Sequence, residues 1–113
     1  MFGHPPSLLI AWTTVAQRAE AESLAAATVA GRLSVCAQID GPIASHYLWH
    51  GHPERTEEFR LTFKFLPEQR VPLEIYVRDH HPYETPEWIV TQADAVGEKY
   101  LSWARSNPST PPL

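Results

Sequence analysis

One cysteine, Cys36, stands in a chain of 113 residues, so no internal disulfide can form and a reducing compartment fits best. Positive charge is also short. Nine Lys and Arg against 13 Asp and Glu leave a formal charge of −4. That balance supplies no broad basic face for phosphate and argues against nucleic acid as a partner. No apolar run approaches the roughly 18 residues that cross a bilayer, so no membrane partner is expected. The opening MFGHPPSLLIAW carries no basic leader, and its apolar stretch is too short for a signal peptide; a cytoplasmic location is expected. A glycine-rich phosphate loop and a serine in a nucleophile elbow are both missing.

What is present suits one small core. Apolar residues make up 43% of the chain, with four each of Trp, Tyr and Phe to bury. A single domain is expected over residues 1–107, followed by a flexible proline-rich tail at 108–113. SLLIAW, residues 7–12, has the length of a buried strand. Thr14 and Gln17 have the spacing of a capping box, and Val15 to Ala30 is rich in helix-favouring Ala and Glu. Ala21, Leu24, Ala25, Thr28 and Val29 fall on one helical face, and Gly31 sits where a left-handed residue commonly ends a helix.

LSVCAQI predicts a second strand, DGP at Asp40 to Pro42 a kink or bulge, and IASHYLW a resumed strand. HGHPER predicts the hairpin turn. TEEFRLTFKF alternates, with Phe59, Leu61, Phe63 and Phe65 on one face and Glu58, Arg60, Thr62 and Lys64 on the other. A hairpin this long overhangs a small sheet, and exposed edges are usually covered, often by another subunit. PEQRVPLEIYVRDHH predicts a helix with Pro72 in its first turn and Leu73, Tyr76, Val77 and His80 at helical spacing. EWIVTQA then reads as a strand and EKYLSWARS as a short helix. The order β-α-β-β-α-β plus a final helix is the α+β, ferredoxin-like split βαβ arrangement.

The chemistry concentrates in RDHHPYETPEW, Arg78 to Trp88. Pro82 and Pro86 fix a helix stop, a turn and a strand start. His81, Tyr83 and Glu84 between them could form a hydrogen-bonded polar cluster or supply metal ligands, since imidazole and carboxylate both serve Zn(II) and Cu(II). On the hairpin, His50 and His52 would share one side of an extended strand and could chelate with His46, but Gly51 between them suggests a solvated turn. Cys36 reads either as a small buried filler or as a soft ligand whose partners come from elsewhere in the chain or from another subunit. Tyr47, Trp49, Tyr83 and Trp103 are aromatics with polar handles, suited to pockets, interfaces or core alike.

These pieces together resemble the CutA, or divalent-cation tolerance, family. The matching residues are Arg32, Leu33, Cys36 and Ile39 in RLSVCAQI, and Ser45, Tyr47, Trp49 and Gly51 in SHYLWHG. Glu58, Lys64, HPYETPE from His81 to Glu87, and YLSW from Tyr100 to Trp103 complete the set in the family's order. The resemblance implies a ferredoxin-like subunit in a tight homotrimer whose long hairpins pair between subunits, an architecture shared with the trimeric nitrogen-signalling (PII) proteins. It implies divalent-metal, chiefly copper, tolerance and no enzymatic activity. Cys36 and His81 are then the first metal-ligand candidates, with Glu84 behind them and Cu(II) or another divalent cation as the ion.

Tyr47, Trp49, Glu58, Lys64, Tyr83 and Trp103 would line a cleft between subunits, where a cationic Lys64 could hold a small anionic ligand or a metal complex. The alternative is a sensing or scaffold trimer with no metal role. The chain also departs from the family at its turns and edges. Gly41-Pro42 reverses a Pro-Gly, and Gln38 replaces an Asn. His52 and Phe65 stand where Lys and Thr are usual, and Val96-Gly97-Glu98 replaces Gly-Asn-Pro.

Overall fold

Alternation in the third strand sets the architecture. Leu61, Phe63 and Phe65 are completely buried, while Arg60 is exposed and Thr62 and Lys64 are half-buried between them. One face of the sheet thus carries the core and the other does not. The computed structural model describes residues 7–106. Its elements are β1 (Leu9–Val15), α1 (Arg18–Ala30), β2 (Cys36–Trp49), β3 (His52–Phe65), a 3-10 turn (Pro67–Gln69), α2 (Arg70–His80), β4 (Ile89–Gln92) and α3 (Glu98–Ser106). The sheet order is β2-β3-β1-β4 with antiparallel neighbours, the ferredoxin-like order. Ala21, Leu24 and Ala25 of α1 and Leu73 and Val77 of α2 join Leu61, Phe63 and Phe65 in one core cluster. The small side chains of α1 allow close approach to the sheet.

Several local expectations shift. Thr14 does not cap α1; it lies in β1, and the Gln17 N–H instead donates to Glu20 Oε1 at 3.2 Å. The strand runs to Val15 because its register against β3 extends to Phe59. The left-handed residue after α1 is Arg32 (φ 59), not Gly31. Leu33 N–H bonds Thr28 O and Arg32 N–H bonds Val29 O, the pair of bonds that closes a helix one residue beyond its cap. Val29, expected on the buried face, is 42% exposed. His80 is exposed and stacks on Tyr76 at 3.9 Å instead of entering the core.

The hairpin turn is tighter than HGHPER suggests. His50 (φ 49) and Gly51 (φ 79) alone make it, and His52 already pairs with Trp49. Both positive φ values match the strand twist at a two-residue turn. Val15 of β1 pairs with Phe59, so from His52 to Glu58 the third strand has only β2 beside it. The expected overhang is real. At its base β2 carries one extra residue between Asp40 and Ile43, the predicted bulge. Arg60 donates to both Asp40 oxygens, at 3.3 and 2.8 Å, and marks the last regular pair before it. The expected tail at 108–113 lies outside the described residues.

Gly41 makes the bulge. Its φ is +145, and an added Cβ would lie 2.8 Å from Phe59 Cδ1 and 2.9 Å from the Glu58 carbonyl oxygen. Gly41→Ala is therefore expected to destabilise the protein by about 1–3 kcal/mol. Urea unfolding at fixed protein concentration measures this, and an unchanged midpoint would contradict it.

Candidate functional site

Thr13, in the middle of β1, has no exposed surface. Its hydroxyl has one proton, which it donates to the Glu87 carbonyl at 2.7 Å. The same oxygen lies 2.8 Å from His81 Nε2, so it must accept there and Nε2 must carry hydrogen. Nδ1 is then bare and accepts the Tyr83 N–H at 3.0 Å. The geometry fixes His81 as the neutral Nε2–H tautomer with both nitrogens engaged. Burial holds its pKa below the usual 6.5, outweighing the Thr14 backbone and the Glu20 and Glu58 carboxylates, which pull it upward. The ring ties the connection between α2 and β4 to the sheet at two points. In this arrangement it offers no lone pair to a metal and no proton to a substrate.

Tyr83, held by that bond, tilts against the His81 ring at 5.2 Å and donates its O–H to Glu58 Oε2 at 2.7 Å. Burial and the Glu58 carboxylate raise the phenol well above its usual pKa, so it remains a donor. Glu58 is only 8% exposed. Beside this pair opens a groove of roughly 900 Å3. Ser45, His46, Tyr47, Trp49, Glu54 and Glu58 of the hairpin form one wall; Pro82, Tyr83, Glu84, Thr85 and Glu87 form the other, with Thr14 at the base. Four carboxylates and no Lys or Arg stand among these described lining residues.

Five of the expected site residues meet here: Tyr47, Trp49, Glu58, Tyr83 and Glu84. Lys64 and Trp103 do not line the groove. Lys64 pairs across the ladder with Cys36, and its Nζ lies 5.8 Å over the Tyr100 ring. Tyr100 in turn sits 5.4 Å from Trp103, and burial and the neighbouring Cys36 raise its pKa. Lys64 is six residues of extended strand from Glu58, about 20 Å. Cys36 and the groove therefore occupy opposite ends of the sheet.

A divalent metal needs donors gathered at bond lengths of about 2.0–2.6 Å. Among the described residues no three His, Cys, Asp or Glu side chains gather in that way. Cys36, His81 and Glu84 do not form one site within the subunit, and neither do His46, His50 and His52. His46 faces away from Trp49 and His52 by strand parity, opposite Arg55. Sequence reasoning missed Thr13, Glu54 and Glu87. Taking His50-Gly51 as the whole turn would have placed Glu54 directly opposite Tyr47.

The His81 bonds give a pH dependence with a defined sign. In the unfolded chain the ring protonates near 6.5; in the folded protein it resists until a lower pH. Between those values the unfolded state binds more protons, so this contribution is full above 6.5 and is lost as pH falls through the lowered value. Urea unfolding at about pH 7.5 and about pH 5.5 should show wild type losing more stability than His81→Gln. Equal losses would place the responsible proton elsewhere.

Comparison with known proteins agrees with the fold and the motifs. Residues 9–107 match the family profile described as CutA1 divalent ion tolerance protein. The divalent-cation tolerance protein CutA of Yersinia pestis is 31% identical over 99 residues, covering 88% of this chain and 83% of that protein. CutA from Synechococcus elongatus superposes with a TM-score of 0.83 at 37% identity, over 88% of each chain. CutA1 from the psychrotrophic Shewanella sp. SIB1 gives 0.87 at 28% identity, covering 96% of this chain and all of that one. The chain belongs to the CutA1 divalent ion tolerance family.

Proposed function

We propose that this protein serves divalent-cation tolerance as a homotrimer that collects cations in the carboxylate-lined groove. A three-ligand site of Cys36, His81 and Glu84 is not the basis of this reading. The observation that carries it is the charge of the lining: Glu54, Glu58, Glu84 and Glu87 against no Lys or Arg among the described residues there. Carboxylates attract hard divalent cations, and an imidazole such as His46 adds affinity for Cu(II). The anionic-ligand reading loses its support, because Lys64 stands at the far end of the sheet.

Assembly follows from the hairpin. Leu48 is 71% and Trp49 55% exposed on an overhang that β1 never reaches. Such an edge is normally covered, and a second copy is the natural cover. A reducing cytoplasm suits the one thiol, Cys36, although the relative from Archaeoglobus fulgidus is described as periplasmic. No described helix is long and apolar enough to cross a membrane.

Light scattering on the purified protein should give three times the 12.8 kDa chain mass. Equilibrium dialysis against Cu(II) and Zn(II) should show binding that is lost in a Glu54→Gln, Glu84→Gln variant and retained in Cys36→Ser. The reverse pattern would place the metal at the thiol and overturn the groove reading.

A further inference from the structure

We propose that the groove accepts an organic dication, a short aliphatic diamine, as well as bare metal ions; this rests on the cation-collecting reading above. Its lining is the wrong shape for chelation and the right one for a larger cation. The carboxylates are spread, two on each wall: Glu54 and Glu58 on β3, Glu84 and Glu87 on the segment before β4. A space of roughly 900 Å3 is of the size that holds small organic molecules. One dehydrated ion would fill little of it.

Aromatic surface lies among the carboxylates. Tyr47 is 43% and Trp49 55% exposed, and Tyr83 lines the opposite wall. An ammonium group over such a ring is held by the ring's quadrupole, and the methylenes between two ammonium groups gain apolar contact. Two walls that each carry two carboxylates suit two separated positive charges better than one.

Glu58 adds an independent sign. It is more than nine-tenths buried and lines the groove, yet the Tyr83 hydroxyl satisfies only its Oε2. Among the described residues no hydrogen bond reaches Oε1. A buried carboxylate with one oxygen left to the groove is electrostatically prepared for a cationic donor.

The test is isothermal titration of the full-length protein with 1,4-diaminobutane, beside butylamine and Zn(II). Saturable diamine binding is expected, weaker for butylamine, and weakened about tenfold in Trp49→Leu and in Tyr47→Leu while Zn(II) binding holds. Light scattering checks that each variant keeps the wild-type assembly. Absence of saturable diamine binding overturns the inference, as does equal affinity in wild type and both aromatic variants. Should the diamine fail while Zn(II) binding still disappears in Glu54→Gln, Glu84→Gln, the diamine inference alone falls. Should Zn(II) binding also be indifferent to that variant, the cation groove falls with it.

Discussion

The Thr13 hydroxyl has a single proton, and the fold commits it to the Glu87 carbonyl. Everything at the site follows from that commitment. Thr13 can then only accept from His81, which fixes the tautomer; the tautomer leaves Nδ1 to receive the Tyr83 N–H; and Tyr83 reaches Glu58. A connection containing two prolines and two glutamates is thereby pinned to the central strand at both ends. Thr13 sits fully buried on β1, so the chain of bonds is anchored in the most rigid part of the molecule. Satisfied polar networks of this kind specify one arrangement, because each unmade bond leaves a desolvated group behind.

The same logic separates two roles that the motif HPYETPE merges. His81 and Tyr83 look inward and hold the segment; Glu84 and Glu87 line the groove. A histidine with both nitrogens engaged is a fastener. Cys36, with Lys64 and Tyr100, belongs to the other end of the sheet, next to a second small cluster of Leu8, Val35, Leu66 and Ala104. Any chemistry shared between the thiol and the groove would need another copy of the chain.

Much of the fold was legible because its signals were periodic. The alternation in TEEFRLTFKF gave the core face of β3, and EKYLSWARS gave α3 at its observed bounds. The bulge at Asp40 to Pro42 was also readable, since Gly and Pro there permit little else. The failures were at element ends. Thr14 has the right residue type to cap a helix, but pairing with Arg60 extends β1 through it, a tertiary bond that local spacing does not encode. The site was half legible. Its residue types were visible, but Thr13 offered no motif, and whether Lys64 faced the same cleft as Glu58 depended on distance along a strand. About 20 Å separates residues six apart on an extended strand, however regular their alternation.

Glu58 shows why the groove is more than a by-product of the hairpin. A carboxylate taken out of water costs several kcal/mol, on the order of the penalty for a buried ion, unless donors replace the lost hydration. Here one neutral phenol donates to it, and the nearby imidazole is held uncharged by its own bonds. A residue serving only to anchor Tyr83 could have been a neutral Gln, with an amide oxygen accepting the same hydrogen bond at far lower desolvation cost. The charge contributes nothing to that bond geometry that a Gln would lack. It does contribute a negative potential inside a groove already edged by Glu54, Glu84 and Glu87. The buried charge makes physical sense when a cation completes it, which is the condition a cation-tolerance protein meets only in the presence of its ligand.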